Sequence, residues 1–148
     1  MNLEALRANL KTEIQQYPVV FVYLFGSQAT GRTHQGSDLD FGVFFDKTLR
    51  TEERPAMQLK LLKTLSRICR TDNVDVVILN NAPPLLAYEV LRNGFLIYCC
   101  DENARIEFQV RALRSYEDTM PLRKMLWEAM AERVRAGAFG KPVLKHIG

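Results

Sequence analysis

Seven consecutive residues, Val19-Val20-Phe21-Val22-Tyr23-Leu24-Phe25, carry no polar group except the Tyr23 hydroxyl, and Gly26 closes the run. β-branched and aromatic side chains at odd and even positions alike suit a strand covered on both faces. A span of seven is far below the ~20 apolar residues needed to cross a bilayer. The chain is therefore expected to build a sheet around this strand, with no membrane partner. Its 148 residues are near the usual size of one domain, and 47% hydrophobic with 25% charged residues is ordinary globular usage.

The rest of the chain supplies the other layers. Leu3, Leu6, Leu10 and Ile14 recur at helical spacing, which predicts a helix over 2–16 that ends at Tyr17-Pro18. A segment rich in Gly, Ser and Thr runs from Gly26 to Ser37. Residues 38–45 then alternate, with Asp38, Asp40 and Gly42 on one side and Leu39, Phe41 and Val43 on the other. Met57, Leu61, Leu62, Leu65 and Ile68 predict a helix over 52–70, and Val74 to Leu79 a third strand. Pro83-Pro84 opens a short helix that Asn93-Gly94 ends, and Phe95 to Cys99 is a fourth strand. From Glu102 the pattern is helical, with a break expected at Pro121 and an end at Gly137 and Gly140. This order predicts an α/β (α+β) domain, a small mixed β-sheet flanked by helices. Its core covers about residues 1–100, with a C-terminal helical extension over about 102–137 and a loose tail over 141–148.

Charge and cysteine usage exclude several classes. The 20 Lys and Arg stand against 17 Asp and Glu, spread over both parts of the chain, so no dense one-sign field marks a nucleic-acid binder. Cys69, Cys99 and Cys100 are odd in number and form no CxxC, which argues against a disulfide framework or zinc site and for reduced thiols. Met1-Asn2-Leu3-Glu4 has neither the basic start nor the apolar stretch of a signal peptide, so a cytoplasmic protein is expected.

Three features converge on chemistry. Asp38 and Asp40 stand two apart on a strand whose neighbours are core residues, so their carboxylates share one face and repel unless a cation binds between them. Asp75 interrupts the apolar run Val74-Asp75-Val76-Val77-Ile78-Leu79, where a buried carboxylate needs a partner. A helix cap, or an ion pair with Arg67 or Arg70, meets that need as well as a metal does. Gly26-Ser27, where the buried strand gives way to a turn, lets a phosphate approach the backbone. Hard oxygen ligands with a phosphate cradle just upstream suit Mg²⁺ bound to a nucleoside triphosphate, and two such ions on three carboxylates suit nucleotidyl transfer.

Gly26-Ser27-Gln28-Ala29-Thr30-Gly31 through Ser37-Asp38-Leu39-Asp40 resembles the signature of the DNA polymerase beta-like nucleotidyltransferases, and more narrowly the minimal nucleotidyltransferases. The segments Val74 to Leu79 and Asn81 to Gly94 extend the likeness to the antitoxins encoded beside HEPN-family ribonuclease toxins. The resemblance implies that Asp38, Asp40 and Asp75 are the catalytic, Mg²⁺-binding triad, and that Gly26, Ser27, Arg32 and Ser37 take the nucleotide. It also implies transfer of AMP from ATP to a tyrosine of a HEPN toxin, held in a hetero-oligomer. Many relatives place a basic residue directly after Gly-Ser. Here Gln28 stands there and Arg32 is the nearest cation, a phosphate contact or a solvated loop charge.

Two other readings stay open from sequence: an antitoxin that neutralises its partner by docking alone, and a transferase acting on a small alcohol. The apolar residues after 101, including Met125, Trp127 and Met130, either cap the sheet or dock a partner, and Phe108, Tyr116 and Trp127 are the aromatics to test.

Overall fold

The computed structural model describes residues 2–26 and 39–137. Helix α1 (Leu3–Ile14) starts at Asn2, whose side-chain oxygen accepts the N–H groups of Glu4 and Ala5 at 3.0 and 3.3 Å. It buries Leu6, Leu10 and Ile14, the stripe that the spacing predicts. Strand β1 (Val19–Phe25) is buried at all seven positions. Strand β2 (Leu39–Phe45) leads through a 3-10 turn at Thr51–Glu53 into helix α2 (Arg54–Cys69). Strand β3 (Val74–Ile78), helix α3 (Pro84–Asn93) and strand β4 (Phe95–Cys99) follow. Helices α4 (Glu102–Asp118) and α5 (Met120–Arg135) complete the described chain.

The sheet is mixed and runs β3-β2-β1-β4. β1 lies antiparallel to both β2 and β4, whereas β2 and β3 are parallel and joined through α2. Because β1 is central, both its faces are covered, which is why its sequence lacks alternation. On one face α1 and α2 set Leu6, Leu10, Ile14, Leu61 and Leu65 against Leu39, Phe41, Val43 and Phe45. The buried Thr64 on that side is satisfied by the Tyr17 hydroxyl at 3.0 Å. On the other face α3 and α4 bring Ala87, Val90, Phe108 and Ala112 onto Phe21, Tyr23 and Phe25. The Phe108 ring lies 5.3 Å from that of Phe21, so Phe108 is core and unavailable for partner contact.

Two expectations for the C-terminal region are corrected. The helical pattern breaks at Thr119 and not at Pro121, because proline fits the first turn of α5, where an N–H has no helical acceptor. The apolar residues of α5 do not cap the sheet. None of its side chains is buried, and Trp127 is 69% exposed. α5 is tied to the body through Arg123, which donates to the Tyr116 hydroxyl at 2.7 Å and to Thr119 Oγ1 at 2.9 Å. The Tyr116 ring is sandwiched between that guanidinium and the stacked ring of Tyr88.

Candidate active site

Three described residues meet at one end of the sheet, where β1 leaves and β2 and β3 begin. Gly26, directly after β1, has φ +88°, a left-handed conformation that favours glycine. Added here, a Cβ would run into the Asp40 carboxylate, with Asp40 Cγ 3.1 Å away. Phe25 pairs with Asp40 across the β1–β2 ladder, and Asp40 pairs with Asp75 across the parallel β2–β3 ladder. In-register partners project from the same face of a sheet, and neighbouring strands lie ~4.8 Å apart. Both carboxylates therefore stand side by side on the face that carries α3 and α4. Further along that face Gly42 leaves room for Leu79, whose side-chain carbons would lie 3.1–3.2 Å from a Cβ at that glycine.

Burial differs between the two acids for a topological reason. Asp40 sits on an interior strand and is half-buried, whereas Asp75 sits on β3, at the edge of the sheet among the described residues, and is exposed. The sequence expectation of a buried Asp75 is thus corrected, since an apolar run on an edge strand keeps one side open to water. The alternative partner Arg67 is engaged elsewhere, on Glu13 at 3.0 Å. Asp75 Oδ1 instead accepts the N–H of Val76 at 3.0 Å. The neighbouring carbonyl of Val76 accepts from Gln58 Nε2 of α2 at 2.6 Å. Sequence reading passed over Gln58. Its one signal is an amide on the inward stripe of α2, three and seven residues before the buried Leu61 and Leu65.

Asp38, Ser27, Arg32 and Ser37 lie outside the described residues, as do the Gly-rich segment and the expected tail. Among the described residues the site therefore consists of Gly26, Asp40 and Asp75, and no group of three potential metal ligands is gathered there. What is present fits a magnesium–triphosphate. Two hard oxygen donors stand on adjacent strands, beside a backbone stretch that a side chain would block. Burial pushes up Tyr98 and Cys99 toward the far end of β4, and the Thr48 N–H holds Asp46 low beyond the end of β2.

Comparison with known proteins agrees with this geometry. Residues 8–103 match the model of the family described as Polymerase beta, Nucleotidyltransferase.

The chain belongs to that family.

Among relatives of this nucleotidyltransferase, a protein adenylyltransferase MntA from Aphanizomenon flos-aquae (strain 2012/KM1/D3) is 31% identical over 127 residues. The match covers 82% of this chain and 83% of the relative. A toxin–antitoxin crystal structure with AMP-PNP contains a chain 25% identical with a TM-score of 0.61, matched over 86% of this chain and 97% of its own. A complex of a tri-AMPylated Shewanella oneidensis HEPN toxin with its MNT antitoxin shares the fold. There the identity is 22% and the TM-score 0.56, over 82% of this chain and 95% of the matched one. The family match ends at residue 103, so almost all of α4 and the whole of α5 lie beyond it.

Proposed function

We propose that this nucleotidyltransferase is a protein adenylyltransferase acting as an antitoxin, moving AMP from ATP to a tyrosine of a partner HEPN toxin and so silencing it. The observation that carries this reading is the in-register pair Asp40 and Asp75, with Gly26 opening against Asp40. The likeness to a named protein adenylyltransferase and to a chain crystallised with AMP-PNP supports it.

In this reading the acceptor hydroxyl oxygen bonds to the α-phosphorus while the bond from that phosphorus to the bridging oxygen of pyrophosphate breaks. The hydroxyl proton passes to the Asp75 carboxylate, which is exposed on the edge strand and open to a bulky acceptor. Asp40 and Asp75, together with Asp38, would hold Mg²⁺, which when bound neutralises the triphosphate and acidifies the hydroxyl. Gly26 keeps the backbone bare where the phosphates lie, and Ser27, Arg32 and Ser37 contact them. The partner is held by the apolar residues of α5, which lie outside the family core and bury nothing in their own chain. Among them Met120, Pro121 and Trp127 rim an open hollow of about 660 Å³.

That same exposed helix is what favours the second reading, neutralisation by docking alone. Intact mass of the co-expressed partner separates the two. Wild-type chain is expected to add mass in steps of one AMP, and Asp38→Asn/Asp40→Asn to add none. A partner neutralised equally well by the double variant, with no added mass, establishes docking. Nucleotide transfer to a small alcohol without any protein acceptor establishes a small-molecule enzyme.

A further inference from the structure

Among the described residues, strand β3 has a neighbour on one side only. Leu39 N–H bonds to the Asn73 carbonyl and Leu79 N–H to that of Val43, so odd-numbered residues of this stretch face β2. In a parallel pair the groups of the intervening residues then point away from the partner strand. Val76 is such a residue, and both its backbone groups face the open edge. Each is met by a side chain. The N–H goes to Asp75 Oδ1 at 3.0 Å, and the carbonyl takes a short 2.6 Å bond from Gln58 Nε2.

Gln58 is well placed to act as a brace. It is half-buried, and α2 is fixed against the sheet by Leu61 and Leu65, neither of which is exposed at all. A rigid helix thus reaches across to a strand that lacks a second neighbour, and grips it one residue from Asp75. Asp75 itself is exposed, and apart from Val76 it has no protein partner among the described residues. An unrestrained carboxylate on an open edge samples several rotamers, whereas one oxygen held on Val76 N–H turns the other in a set direction.

We propose that Gln58 is a positioning residue: by holding the Val76 carbonyl at the open edge of β3, it keeps the Val76 N–H on Asp75 Oδ1 and so fixes the orientation of the Asp75 carboxylate. For catalysis the proposal rests on the adenylyl-transfer reading, since a fixed Asp75 matters there because it receives the acceptor proton. Gln58 touches neither nucleotide nor acceptor, and acts through the strand.

The test uses full-length chain with two variants, Gln58→Met, which keeps the length and removes the donor, and Gln58→Glu, which faces the carbonyl with an acceptor. Residue-resolved amide exchange is expected to speed up at Val76 about tenfold, with the β1–β2 amide of Tyr23 unchanged. With labelled ATP and the co-purified partner protein, kcat for AMP transfer should fall about tenfold while KM for ATP stays within about twofold, the size seen when an outer partner of a site ligand is removed. Unchanged exchange at Val76 in both variants overturns the structural link. Exchange that rises equally throughout the sheet, or a loss carried by KM, reduces Gln58 to a general stabiliser and overturns the positioning role. Unchanged kcat with faster Val76 exchange does the same. A wild-type chain that labels nothing refutes adenylyl transfer instead, and the Val76 amide still reads the link.

Discussion

Replacing Gly26 by alanine tests whether the glycine serves the backbone or the carboxylate beside it. Two costs follow from the geometry. At φ +88° a Cβ meets the left-handed penalty of roughly 1–2 kcal/mol. That Cβ also runs into the Asp40 side chain, which must turn away. Coupling between residues in contact is about 0.5–3 kcal/mol, and we take ~1 kcal/mol for a displaced, half-buried carboxylate. The total of ~2–3 kcal/mol corresponds to roughly 4–12 °C in Tm at this chain length. A carboxylate shifted by about 1 Å is expected to lower AMP transfer on the order of 100-fold. The assay combines thermal unfolding with labelling of the partner by ATP, for Gly26→Ala in the wild-type and the Asp40→Ala backgrounds. Where Asp40 has lost its carboxylate the collision is gone, so Gly26→Ala should cost ~1 kcal/mol less there, about 2–4 °C. Equal costs in both backgrounds, with transfer within a few-fold of wild type, would refute the idea that Gly26 makes room for Asp40.

Two further outcomes are expected. Trp127→Ala should weaken capture of the partner protein by about 30-fold, a typical loss of ~2 kcal/mol for an interface tryptophan. Its own Tm should move by no more than ~2 °C because the side chain is exposed, and unchanged affinity in a calorimetric titration removes α5 from the interface. In a pH series of alkylation followed by peptide mapping, Cys100 should react first and Cys69 last. Burial pushes the Cys69 thiol up, so at any given pH it holds less thiolate, whereas Cys100 is exposed. The lag at Cys69 should shrink as pH rises, and equal rates at pH 7 in folded protein would contradict that burial.

Most of the fold is legible in residues that obey local rules. The unbroken run from Val19 to Phe25 becomes the doubly covered β1 at the boundaries its apolar limits suggest. The alternation after residue 38 places Leu39, Phe41 and Val43 in one core layer, with Asp40 on the opposite face. Where local pattern misled, the same residues were compatible with two outcomes. Pro121 looked like a breaker, yet proline is at home in a first turn, and the break sits two residues earlier at Thr119. The apolar periodicity of α5 reads like core, because periodicity reports amphipathicity and not which surface will cover it.

The same division runs through the candidate site. Sequence by itself nominated the candidate residues: the carboxylates at 40 and 75 and the glycine at 26 are picked out by residue type and spacing, which are local properties. Only the tertiary structure decided that Asp40 and Asp75 lie in register, that Asp75 stands exposed at an open edge, and that Gln58 reaches Val76 across eighteen residues. Strand order and helix docking depend on how the whole chain buries its apolar faces. No window of sequence contains that information.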